Sequence, residues 1–282
     1  YHATIKARIK EFTNSLKDIV GPNVRTWAFV DDGPMNDRAS ARRSGLGWVG
    51  KNTNVISPGF GSWILLGQVV TDLHLEPDAP LKKTCGSCVR CIDDCPTGAI
   101  VAPYVIDNTK CISYLTIELK GSIPIELRSL VGDWVFGCDI CQDVCPVNRK
   151  AESGKTAISG DFKQRPGFAT PDLLALLELD QKTFSRIYKN SPVKRAKRIG
   201  LQRNACVALG NNGDSSAVQP LIKALKGSES LIRGHAAWAL GKFAESGDCK
   251  ALEALQSARD KENDDDVLFE IKLALSSMGT TR

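Results

Sequence analysis

The chain has 282 residues, 42% of them hydrophobic and 24% charged, with a net charge of +5 and a pI near 8.6. That composition supplies a core and excludes wholesale disorder, and the length suits about two domains of ordinary size. The longest apolar run, residues 63–70, falls far short of the roughly 20 residues a bilayer span requires, so no membrane association is expected.

In chain order, residues 1–80 read as part of an α/β domain. A helix over residues 5–18 is followed by Gly21-Pro22 and by an apolar run over 26–30 with the pattern of a buried strand. The run stops at Asp31-Asp32-Gly33-Pro34, a turn signal. Residues 38–43 are helical in character and lead into Gly45-Leu46-Gly47-Trp48-Val49-Gly50-Lys51-Asn52-Thr53, and residues 61–70 offer a second strand. These elements are too few for a complete α/β sheet. The domain is therefore expected to begin upstream of Tyr1, and no signal peptide is visible. Gly45, Gly47 and Gly50 permit close approach of a large planar ligand, or simply make a turn. Their bare Gly-x-Gly-x-x-Gly spacing is not a dinucleotide fingerprint, because an Arg-rich helical stretch precedes it where an apolar strand is required.

Residues 81–150 form a cysteine region. Residues 151–192 connect it onward through loops and an amphipathic helix over 170–179, with Thr170 as N-cap and Pro171 at the first helical position. Residues 193–282 repeat. Ala208-Leu209-Gly210 recurs 31 residues later as Ala239-Leu240-Gly241, and Ala274-Leu275-Ser276 follows after another 35. Helix pairs at this period mark an α-solenoid of HEAT-like repeats, and the small residues let neighbouring helices approach closely.

Eight of the ten cysteines fall between Cys85 and Cys145. A small disulfide scaffold would spread them, whereas one dense stretch in a chain with its own core suits a metal and a reducing compartment. Cys85-x2-Cys88-x2-Cys91-x3-Cys95-Pro96 has the spacing of a bacterial two-cluster ferredoxin, in which the fourth cysteine serves the other cluster. Cys138-x2-Cys141-x3-Cys145-Pro146 is the second run. Crossed assignment gives one 4Fe-4S cluster Cys85, Cys88, Cys91 and Cys145, and the other Cys95, Cys111, Cys138 and Cys141. Val135 stands where a regular second run would have a cysteine, so Cys111 completes the set from a different loop. Two four-cysteine zinc sites fit the count but need neither a third x2-spaced thiol nor a crossed Cys-Pro. Cys206 and Cys249 are expected to be buried structural thiols.

From Arg186 to Arg203 the chain carries seven basic residues and no acids. Lys194, Arg195, Lys197, Arg198 and Arg203 are the candidate phosphate contacts for RNA, and a solvated basic face is the plainer alternative. Tyr188 and Trp48 are candidates to stack on a base or to lie in the core.

Taken in order, Val30-Asp31-Asp32-Gly33-Pro34, Arg38, the Gly45–Thr53 motif, both cysteine runs, the segment from Ser191-Pro192 to Arg198 and Arg203-Asn204 resemble the epoxyqueuosine reductase family over essentially the whole chain. The resemblance implies a multidomain α/β plus α protein. It has a partial α/β cobalamin-binding domain at 1–80, a ferredoxin-like two-cluster module at 81–150, a connecting helical segment at 151–192 and HEAT-like repeats at 193–282. It also implies reduction of epoxyqueuosine to queuosine at the wobble position of tRNA. Cobalamin would act there, with electrons relayed by two 4Fe-4S clusters from an external donor. The setting would be cytoplasmic, and the protein is taken as a monomer. Members carry a further stretch ahead of the position matching Tyr1.

Asp31 matches the family's proton donor, and a partly desolvated carboxyl there would act as an acid. Its alternative role is to cap the Gly33-Pro34 turn, and Asp32 is the competing carboxyl. Arg38, Gly45, Gly47, Trp48, Gly50, Lys51 and Asn52 are the implied cofactor-binding residues, Arg38 being otherwise a helix-surface cation. A reductive dehalogenase-like enzyme acting on small molecules and a two-cluster electron carrier are the competing functions. The basic segment and the repeats favour the tRNA enzyme over the first, and the carrier leaves residues 30–53 without a purpose.

Overall fold

The computed structural model describes residues 1–153, 162 and 167–276, and the remaining positions of the connecting segment and of the last repeat lie outside the described residues. Two compact units emerge. One comprises residues 1–107 with 139–164, the other 108–138 with 165–282. The division runs through the 81–150 cysteine segment rather than around it.

In the first unit the predicted opening helix is present as His2–Val20, and the helix after the aspartates as Asp37–Arg43, capped by the Asn36 side chain accepting from Ala39 N–H. The predicted strands appear as Thr26–Phe29 and Gln68–Thr71, paired antiparallel with Thr26 opposite Thr71 and Phe29 opposite Gln68. The first is not the buried strand expected. Trp27 is 64% exposed, whereas Phe29, two residues on and on the same face, is buried against the turn at Gly33, so cover over this face is local to one end of the strand. Trp48–Val49 pairs with Val55–Ile56, and Ile100–Ala102 with Val105–Ile106, so every ladder among the described residues is two-stranded and antiparallel.

The second unit is helical. Lys197–Asn212, Val218–Leu225, Ser230–Glu245, Cys249–Arg259 and Asp265–Ser276 form the predicted repeats around a core that includes Leu209, Leu221, Leu240, Leu255 and Ile271. The recurring Ala-Leu-Gly triplets have a direct use. A Cβ on Gly210 would lie 3.0 Å from Ala239, and one on Gly241 would lie 2.8 Å from the Ala274 methyl. The glycine of each triplet thus seats against the alanine of the next, which sets how closely successive repeats stack.

Residues 108–138 pack on this solenoid rather than with the rest of the cysteine region. Ile112, Leu115, Ile123, Leu127 and Val131 share a core with Val207. The contact is keyed by buried polar groups. Arg128 makes a bidentate pair with Glu270 at 2.8 and 2.5 Å, and Ile123 N–H donates to His235 Nε2 at 3.2 Å. Asn204 Nδ2 donates to the carbonyls of Thr116 and Val135, both at 2.8 Å.

Before the repeats, the expected helix over 170–179 is confined to Leu173–Leu177. Asp172, not Thr170, caps it by accepting from Leu174 and Ala175 N–H, since its carboxylate reaches two orphan donors of the first turn. Among the described residues no helix is long and apolar enough to cross a membrane.

Candidate cluster and cofactor site

The two cysteine runs fold alike. In the first, Cys88 N–H donates to Cys85 O at 3.2 Å, a one-turn helix Arg90–Asp93 carries Cys91, and Cys95-Pro96 follows. In the second, Ile140–Asp143 carries Cys141 and leads to Cys145-Pro146. The two short helices pack on each other. Pro146 follows the end of that short helix. It opens the helix Pro146–Ser153, where its missing N–H is no loss.

The first predicted ligand set lies within one unit. Burial, and after it the nearby Cys85, Cys88 and Cys145, push the Cys91 thiol up, so the crossed cysteine of the second run stands beside three of the first. Among the described residues no three Cys, His, Asp or Glu side chains are close enough to hold a single metal ion. Four thiolates on an iron-sulfur cube stand farther apart than four on one zinc. Of the second set, Cys95 and Cys141 belong to the first unit and Cys111 and Cys138 to the second. Of the two remaining thiols, Cys206 is buried as expected, and burial pushes it up to about 12, whereas Cys249 is exposed at the start of its helix, a correction to its expected burial.

The Gly45–Thr53 motif is tied into the cysteine runs. Lys51 is buried and its Nζ donates to Gly86 O at 2.8 Å, inside the Cys85–Cys88 loop. Asn52 Nδ2 donates to Cys141 O at 3.1 Å, and its Oδ1 accepts from Asn54 N–H. The glycines serve the chain's own packing. A Cβ would meet Ala79 O at 2.7 Å from Gly45, Ile56 O at 2.6 Å from Gly47 and Asn52 Oδ1 at 2.7 Å from Gly50. Arg38 is exposed, and its Nη1 donates to Thr53 O at 3.1 Å. Trp48 differs. It is buried under Lys83, which lies 5.8 Å from its ring, and its indole Nε1 finds no acceptor, an orphan donor that fits a further bound group.

One residue of this frame gave no sequence signal. Asn148 is fully buried, accepts from Ser62 N–H at 2.7 Å and donates to Ser62 Oγ and Gln142 O, which ties the helix after Cys145 to the 1–80 segment. A lone Asn outside any motif is visible only through the fold.

Asp31 and Asp32 separate clearly. Asp32 pairs with Lys6 and its Oδ1 accepts from Val30 N–H, and these two bonds hold its carboxyl below the usual carboxylate range. Asp31 stands in the left-handed region at φ 54° and accepts from the Tyr1 hydroxyl at 2.8 Å. It is exposed rather than partly desolvated.

The basic segment needs one correction. Arg203 cannot reach RNA. It is fully buried, donates to the carbonyls of Leu115, Leu119 and Gly121 at 2.6–2.9 Å, and is pulled down to about 10 by burial and by Arg128. Arg198 is half-committed, bound to Gln202 at 2.6 Å and Glu229 at 2.7 Å. Lys194, Arg195 and Lys197 remain exposed, with Arg195 paired to Glu118. Tyr188 is 7% exposed and Trp48 8%, so both are core residues rather than stacking platforms. The fold adds Lys120, whose Nζ donates to Arg195 O at 2.6 Å. Its own burial, with Lys197, Arg203 and Arg195 nearby, pulls it below the ordinary lysine range against the pull of Glu118. It lies 75 residues from Arg195, beyond what a charge run in sequence reveals.

Residues 84–148 match the family described as "4Fe-4S double cluster binding domain", and residues 194–276 match "HEAT repeats". A double-cluster binding module and helical repeats in one chain define the class, an iron-sulfur protein with a helical solenoid. Epoxyqueuosine reductase of Bacillus anthracis is 36% identical over 98% of this chain and 70% of its own length. That of Pseudomonas aeruginosa is 41% identical over 87% and 68%. That of Salmonella typhimurium is 38% identical over 90% of this chain, which spans 65% of its length. A crystal structure of epoxyqueuosine reductase with a tRNA-Tyr epoxyqueuosine-modified stem loop superposes with a TM-score of 0.89 at 35% identity, covering 99% of this chain and 72% of the other. The chain belongs to the epoxyqueuosine reductase family.

Proposed function

We propose that this chain carries the cluster module, the substrate-facing loop and the RNA-facing repeats of an enzyme that reduces epoxyqueuosine to queuosine at the wobble position of tRNA. Removing the epoxide oxygen as water takes two electrons and two protons and leaves a carbon–carbon double bond. An external donor supplies the electrons one at a time, and two 4Fe-4S clusters relay them. The observation that supports this reading is that Cys145 shares one unit with Cys85, Cys88 and Cys91, as crossed ligation requires. The second set, Cys95, Cys111, Cys138 and Cys141, rests on sequence spacing.

Cobalamin would supply strongly reducing cobalt next to the substrate. Trp48, with its unsatisfied indole N–H, and the exposed Arg38 are the residues of this chain best suited to meet it or the substrate. Asp31 donates the proton that lets the oxygen leave. Asp32 is already engaged by Lys6 and by Val30 N–H and is the less available carboxyl. A Bacillus subtilis epoxyqueuosine reductase is described with a catalytic aspartate loop, which supports a loop aspartate as the acid, and Asp31 stands in a left-handed turn after its strand. Lys194, Arg195 and Lys197 meet the tRNA backbone, and a tRNA substrate sets the reaction in the cytoplasm.

The test is protein purified without oxygen, with iron, cobalt and zinc measured after adding cobalamin, and turnover followed on an epoxyqueuosine stem loop. About eight irons per chain, as two four-iron cubes require, with cobalt retained and water-releasing turnover, support the proposal. Asp31→Asn then keeps iron and RNA binding and loses turnover. Stoichiometric zinc in place of iron overturns the cluster assignment, and full activity of Asp31→Asn removes Asp31 from the reaction.

A further inference from the structure

Consecutive residues Lys51 and Asn52 reach the two cysteine runs separately. Lys51 Nζ bonds Gly86 O in the first ligand loop, and Asn52 bonds Cys141 O in the second. Lys51 is 9% exposed and is the only charged side chain among the buried residues described in its unit. Its backbone is fixed as well, since its carbonyl accepts from Tyr104 N–H at 3.0 Å. Lys82, Lys83 and Arg90, the other cations near this loop in sequence, are exposed, where water and salt screen their charge. A buried ammonium bound to the first ligand loop is not needed to close that loop, because any donor, or water, would satisfy one outward carbonyl. What a fixed positive charge does there is electrostatic.

We propose that Lys51 is a positioning residue that raises the reduction potential of the cluster held by Cys85, Cys88, Cys91 and Cys145. The proposal rests on the cluster reading above. Reduction adds one electron to the cluster, with no bond made or broken, so the cluster and its four thiolates become more negative by one charge. A cation held in a poorly screened position stabilises that extra charge, and net charge and hydrogen bonding around the cysteines are among the protein's controls on cluster potential. Lys51 thereby makes the first cluster easier to reduce than it would be without that charge.

The experiment is an anaerobic dithionite titration followed by electron paramagnetic resonance, on the full chain as wild type, Lys51→Arg and Lys51→Met, with iron counted in each. Wild type gives two midpoints. Lys51→Met should move one of them to more negative potential by at least tenfold in its reduction equilibrium, 59 mV for one electron, and leave the other as an internal control. Lys51→Arg should restore the wild-type value. Unchanged midpoints in a fully loaded Lys51→Met overturn the proposal. So does a Lys51→Met that cannot hold iron while Lys51→Arg can, because Lys51 is then a strut. Absence of any reducible cluster in the wild type would instead defeat the cluster reading itself.

Discussion

Arg203 donates from Nη2 to the Leu115 carbonyl at 2.6 Å, across 88 residues of sequence. The same guanidinium bonds the carbonyls of Leu119 and Gly121, and its Nε bonds Asn204 Oδ1 at 3.0 Å. A residue that sequence places at the end of a basic run is thus a brace between the repeats and residues 108–138. Arg203→Ala should strip donors from three carbonyls, that of Leu115 buried and those of Leu119 and Gly121 partly so, and a buried acceptor left unsatisfied costs about 1–3 kcal/mol, to which the lost packing of a fully buried side chain adds. We expect a loss of about 3 kcal/mol or more, read as a lower urea midpoint. Arg203→Lys should recover little, because an ammonium cannot reproduce the planar fork. RNA affinity of the folded fraction should not change.

His235 gives the second unit a pH dependence. Burial first, and Arg128 and Arg203 after it, hold its imidazole well below the usual histidine range, and Nε2 accepts from Ile123 N–H. The folded ring is neutral. The unfolded ring takes up a proton near pH 6.5, so the unfolded state binds more protons as pH falls below that value. The contribution is fully present above about pH 6.5 and is lost on acidification, at up to about 1.4 kcal/mol per pH unit. Urea midpoints of this chain should therefore decline from pH 7 to pH 5, and His235→Gln should flatten that decline while lowering stability at pH 7. An equal slope in both proteins would show that other groups carry it.

Free phosphate contacts should behave differently from braces. Lys194 and Lys197 are exposed on the segment leading into the Lys197–Asn212 helix, and neither has the carbonyl set that holds Arg203. Lys194→Glu together with Lys197→Glu should weaken binding of an anticodon stem loop and reduce the slope of log affinity against log salt by about 1 per lysine. Urea stability should remain within about 0.5 kcal/mol. An unchanged salt slope would remove this face from RNA recognition.

What could be read in the sequence was whatever is written in local spacing. The cysteine runs, the Ala-Leu-Gly triplets at repeat distance and the Asp-Asp-Gly-Pro stop each specify a local geometry, and the short helices carrying Cys91 and Cys141 and the repeats follow them. Partner choice across long loops is not written that way. Arg203 and Lys194 share one basic run, yet one is fully buried and the other exposed, because residues 108–138 fold back onto Arg203. Lys51 and Asn52 look like part of a ligand-binding glycine loop, and their donors go to Gly86 and Cys141 instead. The residues 26–30 run has the composition of a buried strand, but burial depends on what packs over each side chain, and Trp27 and its cross-strand partner Val70 are left uncovered while Phe29 is covered.

The Arg128–Glu270 pair tests whether the join of residues 108–138 to the repeats is held by charge or by shape. Both side chains are buried, the geometry is bidentate, and Arg128 Nε also bonds Ile123 O at 2.8 Å. Desolvating two charges costs several kcal/mol each, so the pair itself need add little net stability. Removing one partner is another matter, since it strands the other charge in the core. Glu270→Leu alone should cost about 3–5 kcal/mol in urea unfolding, and Arg128→Met alone a similar amount. The double variant Arg128→Met with Glu270→Leu replaces the pair by apolar side chains of similar volume and should lose less than either single change. The coupling in that double-mutant cycle, rather than either single loss, measures the interaction. A double variant as unstable as the sum of the singles would mean that the two charges act independently, and that packing of Leu127 and Val131 alone holds the join.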